Sequence, residues 1–246
     1  MRLVRMTSLA VVTTVAGSML TLAPLTAAAE PRQAVATAAI TQVADDPVPG
    51  TEEELRATIQ AILDDPEVGV GVRREALEAL ETGTVEAMTY FLETGWQVAQ
   101  DEDNRFAIFV ILADPDTGRA VRDAAGAALR DGSSEALVYF LETGRWIAQD
   151  EDNRFAIFVI LADPETGRAV RDAAGVALRD GSSEALVYFL ETGRWIAQDE
   201  DNTFAIFVII GTPGISAALR AAAVAALDGT PEDRAYFIET GQYEVE

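Results

Sequence analysis

Residues 96–144 and 145–193 align without a gap and differ at five positions: Trp96/Arg145, Gln97/Trp146, Val98/Ile147, Asp116/Glu165 and Ala127/Val176. A chain that repeats 49 residues so closely must build one structure twice. A period of this length marks a solenoid, in which each unit buries its apolar face against its neighbours. The register extends outward. Pro66, Gly69, Val72 and Leu80 stand 49 before Pro115, Gly118, Val121 and Leu129, while Phe204, Pro213 and Leu227 stand 49 after Phe155, Pro164 and Leu178. Four units result, at about 47–95, 96–144, 145–193 and 194–241, the last one residue shorter where Leu178-Arg179-Asp180-Gly181 becomes Leu227-Asp228-Gly229.

The run Phe106–Leu112 is short, apolar and β-branched enough to suit a buried strand. Its diverged first copy, EEELRATIQAILDDP, decides otherwise: Leu55, Ile59, Ile62 and Leu63 fall at i, i+4, i+7 and i+8, with Thr51 placed to cap the start. All copies are therefore read as helices. A helix apolar nearly all round is expected to be buried on several sides, as an inner helix between units. It should end at the aspartate before proline, where the α region is disfavoured.

A second helix is read in TGRAVRDAAGAALRDG, capped by Thr117, with Val121, Ala125, Ala128 and Leu129 on one stripe and Gly132 just past its end. The third is SSEALVYFLETG, started by Ser133 or Ser134, with Leu137, Tyr139, Phe140 and Leu141 inside and Gly144 closing it at the C′ position. The fold class is thus all-α, an α-solenoid of about four 49-residue three-helix repeats stacked in armadillo or HEAT fashion. End units need polar outer faces, and Thr58, Gln60, Asp233 and Arg234 stand where inner copies have Ala107, Phe109, Ala185 and Leu186, as a four-unit array with both ends finished would have them.

The first 29 residues read as a signal peptide, with Arg2 and Arg5 before an apolar stretch and Ala27-Ala28-Ala29 before Glu30. Residues 30–50 read as a flexible leader or a short helix, and 51–246 as the repeat domain. The expected location is extracellular, with no membrane segment after cleavage. Removing Arg2 and Arg5 leaves 16 basic against 41 acidic residues, a net charge of −25. That sign disfavours nucleic acid and favours basic partners or cations. The chain has no histidine, cysteine or lysine, so the usual bases and nucleophiles are missing, and no enzyme activity and no cofactor are expected.

The triplets Asp101-Glu102-Asp103, Asp150-Glu151-Asp152 and Asp199-Glu200-Asp201 are the cluster most like a site. Carboxylates suit calcium, but the spacing is not that of an EF-hand loop. They are read as first-turn residues complementing a helix dipole, with Asp101 and Asp150 paired to Arg105 and Arg154. Trp96, Trp146 and Trp195 fall at the junctions between units. Their expected role is packing, or partner contact at Trp146 and Trp195, because Trp96 is one position out of register. Tyr90, Tyr139, Tyr188 and Tyr236 keep their register and are read as core.

Phe91-Leu92-Glu93-Thr94-Gly95 with Gln100-Asp101-Glu102-Asp103, and the copies of this pair at 140 and 149 and at 189 and 198, resemble the ALF repeats, alanine-rich with a conserved phenylalanine, of secreted actinobacterial proteins. So does Phe237-Ile238-Glu239-Thr240-Gly241. The resemblance covers roughly 51–241 and implies secretion and a helical repeat, with a suggested part in signal transduction and no site residues. Together these readings lead to an expected function: a monomeric secreted scaffold whose acidic triplets, with Trp146 and Trp195, contact a basic protein or peptide. The alternative is a passive or loosely cation-binding envelope protein.

Overall fold

The computed structural model describes residues 50–245; the expected signal peptide and residues 30–49 of the leader lie outside them. Helices α1 (Glu52–Asp64), α2 (Val70–Thr82) and α3 (Val85–Tyr90) make the first unit. The pattern returns as α4 (Trp96–Ala113), α5 (Arg119–Asp131) and α6 (Ser134–Tyr139), and again as α7 (Arg145–Ala162), α8 (Arg168–Asp180) and α9 (Ser183–Tyr188). The fourth copy is α10 (Arg194–Gly211), α11 (Ala217–Asp228) and α12 (Pro231–Tyr236), followed by the short α13 (Gln242–Glu244). Among the described residues there is no strand and no helix long and apolar enough to cross a membrane. The all-α repeat read from the diverged first copy is the architecture found.

Local signals behave as their chemistry requires at most boundaries. Thr51 and Glu54 form a capping box at the start of α1, and the Ser133 and Ser182 hydroxyls accept from the Ala136 and Ala185 N–H groups. Asp114, before Pro115, has turned to extended backbone and ends α4. Gly132 and Gly181 end α5 and α8 with φ of 74° and 72°, a region that glycine enters without a Cβ penalty.

Gly144 does not close its helix. It sits at φ −61° and ψ −37°, and the chain passes through it into α7 by one π-helical turn, Phe140–Gly144, in which the Arg145 N–H donates to the Phe140 carbonyl. The same turn recurs at Phe91–Gly95, Phe189–Gly193 and Phe237–Gly241. Glycine there relieves crowding rather than supplying an unusual φ: a Cβ on Gly144 would come within 3.2 Å of the Tyr139 ring, five residues back, which would have to shift slightly. Each third segment therefore runs into the first helix of the next unit without a break, and the helix continues because no proline or left-handed residue stops it.

This continuity divides each long helix between two cores. Ala148, early in α7, packs with Ile108, Val121, Ala125, Ala128, Leu137 and Phe140, whereas Ile157, later in α7, packs with Val170, Ala174, Ala177, Leu186 and Phe189. The most extensive packing joins the second helix of one unit to the long helix after it: α2 to α4, α5 to α7, and α8 to α10. Full burial of one such Leu, Ile or Phe contributes about 1.5–3 kcal/mol.

Gly126 and Gly175 lie inside α5 and α8, where a Cβ would meet only the mobile end of Arg130 or Arg179. Gly175→Ala should therefore stabilise the fold by roughly 0.5–1 kcal/mol, read as a raised midpoint in thermal unfolding. A lowered midpoint would mean that the Arg179 guanidinium cannot move aside.

Candidate interaction surface

The acidic triplets do not lie in first turns. Only Glu52, Glu53 and Glu54 of the first unit do; the later triplets fall mid-helix, because the helix begins upstream of them. Two carboxylates of each triplet are used inside the fold. Asp103 accepts from the Gly71 and Val72 N–H groups at 2.8 and 3.1 Å, Asp152 from Ala120 and Val121 at 2.9 and 3.1 Å, and Asp201 from Ala169 and Val170 at 2.8 and 3.0 Å. Each of these aspartates caps the second helix of the preceding unit, where charge and dipole are complementary. Thr117, expected to cap that helix, donates instead to the Ile111 carbonyl at 2.5 Å.

The capped position is Gly69, Gly118 or Gly167, and a Cβ on Gly167 would sit 2.1 Å from Asp201 Oδ2. Glycine lets the neighbour's carboxylate approach. In the fourth copy the same position is Ser216, whose own hydroxyl accepts from the Leu219 N–H at 3.0 Å. That helix needs no carboxylate from a following unit.

Asp101 and Asp150 accept from the Ser134 and Ser183 hydroxyls, each at 2.6 Å, and do not pair with Arg105 and Arg154, whose guanidiniums donate to the Gly132 and Gly181 carbonyls at 2.8 and 2.7 Å. The helix ends draw those arginines away. Asp199 takes both arms of Arg234, at 2.7 and 2.6 Å, which raises the Arg234 pKa through this bonding. Arg234 is thus turned inward against Asp199 and the Gly229 carbonyl rather than forming a polar outer face. The Asp131 and Asp180 carboxyls are held below the usual carboxylate range, first by the Ser133 and Ser182 hydroxyls and then by their N–H groups.

The glutamate of each triplet stays at the surface instead. Glu102, Glu151 and Glu200 are exposed, and Glu102 lies 3.4 Å from Arg74. Around them stands apolar surface that the sequence reading placed inside. Ile157 is fully buried, but Phe155 is 69% and Phe158 56% exposed, and the copies at 106 and 109 and at 204 and 207 follow suit. The preceding unit's second helix starts beside Asp152 and packs toward the N-terminal half of α7, so nothing from that unit covers the half that carries Phe155. Tyr139 and Tyr188 are likewise exposed, at 58%, so they are not core residues. Trp146 and Trp195 are 56% and 57% exposed, with Arg145 and Arg194 over their rings at 4.2 and 3.9 Å. Trp96 is part-buried on the first core.

Ile147, Glu151, Phe155 and Phe158 follow at spacings of four, four and three, so they form one stripe along α7. Val98, Glu102, Phe106 and Phe109 repeat it on α4, and Ile196, Glu200, Phe204 and Phe207 on α10. Between α8 and α10 the stripe borders an open groove of about 700 Å³ lined by Tyr188, Ile196 and Phe204 over Ala169, Ala173 and Ala197. Among the described residues, no group of three or more carboxylates is placed to hold a metal ion.

The ALF family, described as short repeats of unknown function, matches residues 56–99, 105–148, 154–197 and 211–244. The chain belongs to the ALF repeat family. The second and third ALF matches each open near the middle of one long helix and close in the first turn of the next, so each encloses one hydrophobic core whole: 105–148 spans Ile108 to Ala148, and 154–197 spans Ile157 to Ala197. No curated protein matches the sequence.

Proposed function

We propose that this ALF repeat chain is an extracellular scaffold for protein–protein interaction, without catalytic activity of its own, that meets its partner through the thrice-repeated stripe of exposed isoleucine or valine, glutamate and paired phenylalanines. The observation that carries the reading is the recurrence of large exposed aromatic side chains at the 49-residue period. Monomeric proteins rarely expose contiguous apolar surface of this kind, and when they do it marks a contact site. Phe, Tyr and Trp are the side chains that dominate interface energetics. The acidic contribution in this reading comes from Glu102, Glu151 and Glu200 and the overall charge, because the flanking aspartates are engaged inside the fold, Asp103, Asp152 and Asp201 as caps and Asp101, Asp150 and Asp199 with Ser134, Ser183 and Arg234. Secretion rests on the N-terminal pattern, with Arg2 and Arg5 ahead of an apolar run.

Affinity capture from the source organism's extracellular material tests this. The immobilised chain should retain proteins that a variant carrying Ile147→Ser, Phe155→Ser, Ile196→Ser and Phe204→Ser does not. Identical retention by the two columns, or none by either, would sink the scaffold reading.

A further inference from the structure

We infer that the groove between the second helix of one unit and the long helix of the next receives a cationic amphipathic helix, an inference that rests on the scaffold reading and names its occupant. The first argument is the available mode of recognition. Among the described residues there is no strand, so strand addition to a sheet edge is not available, and a helix laid in a groove is a mode that buries apolar side chains without one.

The second argument is shape. The groove floor is alanine, at Ala169, Ala173 and Ala197, which lets a third helix axis come close, and its walls are Tyr188, Ile196 and Phe204. The same residues recur one unit earlier as Tyr139, Ile147 and Phe155, all exposed.

Charge decides between occupants. At the rim, Arg168 lies 3.6 Å from Asp172 and offsets it, leaving Glu200 as the free charge, while Asp201 faces the N–H groups of α8. The chain as a whole carries −23. A second copy would bring the same charge to the same place, and an anionic lipid surface would be repelled. A helix with leucine-like side chains on one face and lysine or arginine flanking them satisfies both the floor and the rim. Because Tyr139, Ile147 and Phe155 recur one unit earlier, a single long helix or a tandem partner that met both sets would gain effective concentration.

The test uses isothermal titration calorimetry on the full-length chain with a synthetic helical peptide of about 18 leucine and lysine residues in amphipathic order, about five turns long. The same composition in scrambled order and phosphatidylcholine vesicles are the comparison probes. The ordered peptide should bind, and Phe155→Ala/Phe204→Ala should weaken it roughly ten-fold or more, as loss of interface aromatics does. Glu151→Gln/Glu200→Gln should flatten the salt dependence while leaving the helical content unchanged. Absence of binding by the ordered peptide overturns the inference. So does equal binding of the scrambled peptide, which would reduce the effect to bulk charge. An unchanged affinity in the phenylalanine variant moves the site elsewhere and overturns it too, as does binding of the vesicles in preference to the peptide. If specific proteins are still captured from extracellular material, such failures remove the cationic-helix occupant and leave the scaffold reading standing.

Discussion

Replacing Phe140 by alanine should cost about 3–5 kcal/mol of unfolding free energy, the range for deleting a buried aromatic ring. Phe140 is buried within the π-helical turn and packs in the core that joins Ile108 of α4 to Ala148 of α7. A cavity there loosens the joint at which one unit's third segment becomes the next unit's long helix. Stability in a repeat array is a sum of unit and nearest-neighbour terms, so damage at an internal joint affects both neighbours. The control lies on the same type of unit: Phe158→Ala removes an equal side chain from an exposed position and should change stability by no more than about 0.5 kcal/mol. Denaturant unfolding of both variants checks the contrast. Equal losses would mean that the exposed stripe, and not the buried ring, holds the units together.

The second large effect belongs to the carboxylate that reaches across units. Asp152→Ala removes both acceptors from the Ala120 and Val121 N–H groups, and the expected cost is about 2–3 kcal/mol, because charge-assisted bonds at a helix N-terminus exceed ordinary ones. Gly118→Ala should reach the same outcome from the other side, since its Cβ would lie 2.1 Å from Asp152 Oδ2 and push the carboxylate away. A double-mutant cycle is the decisive measurement. Once Asp152 is gone, Gly118→Ala should cost little, so the pair falls well short of additivity. Strict additivity would show that the glycine serves some purpose other than admitting the cap.

The repeat made most of the architecture legible. The i, i+4, i+7 spacing of Leu55, Ile59 and Ile62 identified a helix where the later copies were ambiguous, and Asp114-Pro115 and Gly132 placed the ends of α4 and α5 correctly. Gly144 misled because its type fits a helix stop, while its backbone is right-handed and the π-helical turn carries the chain straight through it into α7. The triplets were found as a cluster and misread as first-turn residues for the same reason: a helix thought to begin at Asp101 in fact begins well before it.

The exposed stripe was missed by counting apolar residues without counting what could cover them. Each unit supplies one alanine-rich helix and one short segment, enough to bury the Ile157 side of α7 but not the side bearing Phe155 and Phe158. That shortage of covering surface was present in the sequence. The trans-acting caps were not, because nothing local to Asp152 reveals that Gly118, 34 residues earlier, is its neighbour in space.

The glycine-and-aspartate cap makes the array a one-way connector. Every internal joint has a socket, the bare helix start at glycine, and a plug, the aspartate on the next long helix. A further 49-residue copy spliced between residues 193 and 194 presents both fittings in the right order. One joined behind the last helices would instead bring its aspartate to Ser216, where a side chain already occupies the socket. Such a connector lengthens from within, one whole unit at a time.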